Sequence, residues 1–153
     1  MPSQPKLTRT ADIFVEVGDP IALGRTSEGL RRIVPILGGT IEGDGWSGEV
    51  LAAGADYQVI GDDGHTVLDA RYAARLTTGE SIYIVNKGIR YGSPEAMKRL
   101  NQGLPVDPDE IYFRTVPRFE TDAPALSWLM QRLFVASCAR HPNRVEISVF
   151  EVG

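Results

Sequence analysis

The chain has 153 residues, of which 42% are hydrophobic and 24% charged, with a formal net charge of -4. That length suits one domain with its own core, needing no disulfide or structural metal. The acidic balance argues against a nucleic-acid partner, and no apolar run approaches the roughly 20 residues of a membrane helix.

Residues 1 to about 9 are polar and Pro-rich and read as a flexible arm, leaving 10–153 as the single domain. No apolar signal region follows Met1-Pro2-Ser3, and Cys138 is the only cysteine, so a reducing, cytoplasmic setting is expected. Ala11 to Val17 alternates as a strand and stops at Gly18-Asp19-Pro20. Leu30 to Ile36 is rich in β-formers, with Arg31 and Arg32 at its start. Gly38-Gly39 marks a turn or bulge before Thr40 to Glu42. Asp44-Gly45 and Asp62-Asp63-Gly64 are hairpin signals. Between and after them, Trp46–Ala52, Ala55–Ile60, Thr66–Leu76 and Ser81–Asn86 follow one another as an antiparallel meander. Ser93-Pro94-Glu95 predicts a helix start, and Gly103 can end that short helix. Ile111–Thr115, Gln131–Ala139 and Val145–Glu151 are the remaining strands. The sum is an all-β chain: a closed or nearly closed antiparallel β-barrel of about eight to ten strands with one short helix. A barrel of that size can enclose one small ligand.

Candidate chemistry lies in polar side chains set within these strands. Asp69 and Arg71 share a strand face, as do Asp56 and Gln58, and Arg114 follows Tyr112 on another. An arginine offers a planar fork for a carboxylate or an enolate oxygen, while an Asp in a closed pocket can serve as acid or base. Asp56, Asp69, Arg71 and Arg114 are therefore the candidate catalytic residues. Gln58, Tyr83, Asn86, Tyr112, Glu120 and Trp128 are candidate ligand contacts. Each also has a plainer reading: an exposed ion pair of little energetic weight for Asp69 and Arg71, a turn residue for Asn86, a buried ion-pair partner for Arg114. Cys138 lies in an apolar run and reads as core. His65 and His141 sit in turn contexts, with no metal-ligand spacing and no nucleophile elbow around them. No cofactor or metal is expected. Parity alone leaves open which face of each strand points inward. Apolar faces turned outward would need cover from the helix, the arm or another subunit.

The same segments, in order, resemble the family designated domain of unknown function 3237. The resemblance runs through Arg32–Ile36 with Gly38-Gly39, Gly48–Leu51, Gly54-Ala55-Asp56, Leu68–Tyr72, Ile82–Gly88, Tyr112–Thr115, Phe119–Thr121 and Trp128-Leu129. Family members more often carry Gly-Gly-Ala-Asp-Trp where this chain has Ala53–Tyr57, and Trp-Leu-Asn where it has Trp128–Met130. The resemblance implies a β-barrel and self-association as a homodimer or higher homo-oligomer. Some fungal members look like cyclases that close oxygen heterocycles. The expected function is thus small-molecule binding, either as a cofactor-free acid/base enzyme of cyclase, isomerase or hydratase type on an oxygenated compound, or as a non-catalytic carrier or structural subunit.

Overall fold

A computed structural model describes all residues, 1–153. The strands are β1 (Leu7–Val17), β2 (Ile21–Thr26), β3 (Gly29–Gly43), β4 (Trp46–Val50), β5 (Ala55–Ile60), β6 (Thr66–Leu76), β7 (Ser81–Gly92), β8 (Ile111–Thr121), β9 (Leu133–His141) and β10 (Arg144–Val152). Helix α1 (Pro94–Asn101) follows β7, a short 3₁₀ turn (Pro108–Glu110) precedes β8, and a 3₁₀ segment (Pro124–Gln131) joins β8 to β9.

Every strand pairing is antiparallel, and the expected all-β barrel forms as a closed eight-stranded one with two further strands. The sheet runs β1-β10-β9-β8-β7-β6 and returns to β3, which pairs with β1 and closes the ring. Short β4 and β5 lie end to end between β3 and β6 and together fill one wall position. β2, which has no counterpart among the strands expected from sequence, pairs only with β3 and lies outside the ring, wholly exposed. Closure removes the free edges that an open sheet of this length would expose.

Pairing with β10 begins at Leu7, opposite Val152, so the arm joins the sheet there. Gly38-Gly39 falls inside continuous β3. A side chain at Gly39 would place its Cβ 1.8 Å from the Phe14 carbonyl oxygen, so only glycine permits β1 and β3 to meet there. Most junctions are long ladders: β7 and β8 share eleven paired registers. β8 and β9 share only two, Arg114 with Ser137 and Thr115 with Ala136.

In the strands of the ring the apolar parity faces inward. Leu68, Tyr72, Ala74 and Leu76 on β6, Ile82 and Ile84 on β7, and Phe113 and Phe119 on β8 are all buried. One end of the barrel is filled by the 3₁₀ segment, which sends Leu126 and Leu129 into the core beside Phe119 and Phe134. The opposite end is covered by α1. Ser93 caps it as expected, its hydroxyl accepting the Ala96 N–H at 3.1 Å, and Met97 and Leu100 are buried beneath it. No helix is long and apolar enough to cross a membrane.

Candidate functional site

Beneath α1 the core is not solid. Seventeen residues line a cavity of about 50 Å³. One water needs only about 10–15 Å³ on that scale, so the space suits a small organic molecule. Its wall has two characters. β10, β1 and β3 supply Val145, Ile147, Val15, Val17, Val34 and Ile36. Strands β5 to β9 supply Asp56, Gln58, Tyr72, Asn86, Arg90, Thr115, Cys138 and Arg140.

Asp56 reaches this interior because Gly54 turns the chain into β5. Gly54 has φ +87°, and a Cβ on it would lie 2.2 Å from the Arg71 carbonyl oxygen. From there Asp56, Gln58 and Ile60 point inward and Tyr57 points out. The Asp56 carboxylate accepts Gln58 Nε2–H at 2.8 Å and the Asp69 backbone N–H at 3.2 Å. Gln58 Oε1 in turn accepts from an Arg32 Nη2–H at 3.3 Å. Arg32 also donates to the Asn101 carbonyl oxygen at 3.0 Å, and Arg90 Nη2 lies 3.5 Å from the Asn101 side-chain oxygen. The last residue of α1 therefore grips two guanidinium groups from above.

The electrostatics follow from enclosure. Burial pushes the Asp56 carboxyl above the ordinary carboxylate range; the Gln58 hydrogen bond, the field of Arg90 and the Asp69 N–H act against this without cancelling it. Burial brings Arg90 down to about 10, opposed by Asp56, and also lowers Arg32 and Arg140. No salt bridge of the chain engages these three arginines. Arg90 sits 5.4 Å from the Phe113 ring centroid, a cation–π contact. Tyr72 is raised, chiefly by burial and then by Cys138 and Asp56, and so stays a neutral hydroxyl donor. Thr115 Oγ1 and Cys138 Sγ lie 3.5 Å apart, and burial lifts the thiol to about 11. Five buried side-chain polar atoms have no hydrogen-bond partner in the protein: Tyr72 Oη, Asn86 Oδ1 and Arg90 Nε on residues of the cavity wall, and Arg32 Nε and His141 Nε2 on residues outside it. Native interiors leave few such groups, so three on the wall of one cavity call for an explanation.

The residues proposed from sequence divide by face. Asp56, Gln58 and Asn86 line the cavity. Asp69 and Arg71 pair with each other at 3.2 Å on the outer surface, because they alternate with inward Leu68, Ala70 and Tyr72. Tyr83, Tyr112, Arg114 and Glu120 also project outward, opposite in parity to Ile82, Ile84, Phe113 and Phe119. Arg114 stacks over Tyr112, with its guanidinium carbon 5.3 Å from the ring centroid. Trp128 packs 6.1 Å from Phe134 at the filled end, away from Asp56. The interior residues that the sequence reading did not single out are Arg32, Tyr72, Arg90, Thr115 and Arg140. Parity was the available signal: Arg32 continues the phase of Val34 and Ile36, Arg90 that of Ile82 and Ile84, and Arg140 that of Phe134 and Ala136. No group of three or more His, Cys, Asp or Glu side chains is placed to hold a metal ion.

Comparison with known proteins returns the same fold. The family model described as Protein of unknown function (DUF3237) matches residues 5–152. The chain belongs to the DUF3237 family. Among its relatives, the UPF0311 protein RPA1785 of Rhodopseudomonas palustris is 49% identical over 140 residues, 92% of each chain. The solved structure of that conserved protein of unknown function superimposes with a TM-score of 0.94 at 46% identity, covering all of both chains. The UPF0311 protein CA_C3321 of Clostridium acetobutylicum is 39% identical over 142 residues, 92% of this chain and 90% of its own. A structure described as an enzyme from Penicillium herquei has a TM-score of 0.74 at 15% identity, over 100% of this chain and 98% of that one, and shares the fold.

Proposed function

We propose that this DUF3237 barrel binds a small oxygenated organic molecule in the cavity beneath α1 and transfers protons within it through Asp56, without a cofactor. The observation that carries the reading is the set of buried, unpartnered polar atoms Tyr72 Oη, Asn86 Oδ1 and Arg90 Nε on the wall of a mostly apolar cavity that also holds Asp56. Ligand sites have this make-up: mostly apolar lining, a few convergent polar groups and a titratable residue with a perturbed pKa.

The chemistry would be isomerisation, cyclisation or hydration. Asp56 takes a proton from one atom of the substrate and returns it to another. Negative charge that develops on a substrate oxygen is held meanwhile by Arg90 and the Tyr72 hydroxyl. Gln58 keeps the Asp56 carboxylate oriented, and Asn86 contacts the ligand. The outward residues, Asp69, Arg71, Arg114, Tyr83, Tyr112 and Glu120, have no part in this scheme. The Penicillium herquei barrel, described as an enzyme, is consistent with catalysis on this fold, though at 15% identity it says nothing about the reaction.

The test is a screen of small oxygenated compounds by methyl-resonance NMR, followed by Asp56→Asn. A compound that perturbs the Val34 and Ile147 methyls and is converted by the native chain but only bound by the Asn variant establishes the reading. Binding with no conversion by either chain makes the barrel a carrier. No interior perturbation by any compound defeats both. Self-association, the other partner implied by the family, is supported by Tyr57, Val67, Tyr83, Ile89, Tyr91 and Tyr112, all partly exposed along β5–β8. Sedimentation of the pure protein decides it: a single 16.7 kDa species would remove it.

A further inference from the structure

Three strands end in the same way at the α1 end of the barrel. Arg32 lies near the start of β3, Arg90 near the end of β7 and Arg140 near the end of β9. Antiparallel alternation brings those three ends to one rim. Each arginine takes the inward parity of its strand, so three guanidinium groups gather where only one carboxylate, Asp56, faces them. The chain as a whole is acidic, at -4, yet this interior has a surplus of positive charge.

That surplus is hard to explain as structural. A buried arginine held for stability normally spends its donors on carboxylates or carbonyls. Arg90 is 2% exposed, has no salt bridge, makes one long hydrogen bond, and leaves Nε unpaired. Arg32 spends two donors and likewise leaves Nε unpaired. Planar forks with free donors are matched to a carboxylate. The opposite wall, made of Val15, Val17, Val34, Ile36, Val145 and Ile147, has nothing polar to offer and would cover a hydrocarbon body.

Resting on the binding reading above, we infer that the ligand is an organic carboxylate with a compact apolar body. Its carboxylate is received by Arg90 and Arg140, with Arg32 behind Gln58, and its body lies against the β10-β1-β3 wall. Asp56, on the same arc as Arg90 and Arg140, then sits next to the head group, where a proton α to the carboxylate, or on a neighbouring hydroxyl, comes within its reach.

Matched probes separate charge from shape. Benzoate and benzamide, 3-methylbutanoate and 3-methylbutanamide, and inorganic phosphate are titrated at pH 7, with binding read from the Val34 and Ile147 methyls. Each carboxylate is expected to bind at least tenfold more tightly than its amide. That preference should fall below threefold in Arg90→Met and in Arg140→Met. The second variant guards against a folding defect, because Arg140 is only partly buried and its methyl spectrum reports the native core. Amides that bind as well as the carboxylates overturn the charge assignment and leave the cavity reading standing. Phosphate that binds as well as benzoate overturns the apolar-body assignment. If no probe moves the interior methyls, the inference and the binding reading fall together.

Discussion

The two ends of the barrel are built from the same eight strands, yet one is filled and the other is furnished. At the filled end Phe119 and Phe134 meet edge to face, with centroids 5.3 Å apart, and Trp128 leans on Phe134. Leu76, Ile82, Phe119 and Phe134 fill the inward positions there, and the 3₁₀ segment completes the packing with Leu126 and Leu129. At the α1 end the same inward parity carries Asp56, Gln58, Asn86, Arg90 and Arg140, and their side chains surround a space instead of filling it. The difference teaches where the stability of this fold resides. Close packing at one end supports an arrangement at the other that is costly in itself, since buried charge without a salt bridge lowers stability.

The largest expected effect tests the filled end. Phe134→Ala removes a ring that is 1% exposed and should cost about 3–5 kcal/mol in denaturant unfolding, the range for truncating a buried aromatic. Affinity of interior probes should change little in that variant. A loss under about 1 kcal/mol would show that the filled end is not the anchor.

Cys138 reports on enclosure at the other end. Burial moves its thiol from 9.0 to about 11, which at pH 8 leaves about a hundredfold less thiolate than an ordinary cysteine has. Alkylation of the native chain by iodoacetamide should therefore be at least about a hundredfold slower than in denaturant. Comparable rates in the two states would mean that the cavity is open to solvent.

Asp56 gives a smaller, signed effect. Its folded pKa lies above its unfolded value, so the folded state holds the proton more tightly. The resulting stabilisation is complete below the ordinary Asp range near 3.8 and is lost as pH rises through the raised value. Arg32, Arg90, Arg140, Tyr72 and Cys138 are the titratable groups that face it, and none of them titrates in that acid window. The stability of the native chain minus that of Asp56→Asn should fall between pH 3.5 and pH 7.5 in urea titrations. A difference that rises with pH would place the carboxylate in a net stabilising field.

The smallest effect belongs to the outer wall. Asp69 and Arg71 form a bidentate-looking pair in solvent, so Arg71→Ala should leave both the melting temperature and interior probe affinity unchanged within error. A clear loss of probe binding would move the site to the outside of the barrel.

Much of this arrangement could be read from the chain before the structure. Strand alternation, hairpin glycines and the Ser93 cap give the barrel and its helix, because turns and caps are decided locally. The split of β6 into a Leu68-Ala70-Tyr72 face and an Asp69-Arg71 face was equally legible. Which face points inward is a property of closure, and charge-rich motifs drew notice to Asp69, Arg71 and Arg114. Arg32, Arg90 and Arg140 are harder to see because each lies at the end of an apolar series, and strands far apart in sequence bring the three together. β2 leaves no mark in the sequence pattern, because it buries nothing and so has no periodicity to detect.

The short junction between β8 and β9 has a consequence of its own. A wall is as stiff as its ladders, and here two paired registers hold a seam whose neighbour holds eleven. Phe113, Thr115 and Cys138, which flank that seam, also line the cavity. Breathing of the barrel should concentrate along this line, so amide protons on β9 beyond Ser137 should exchange with solvent ahead of those on β7, and a guest could slip through parted strands while the rest of the ring stays shut.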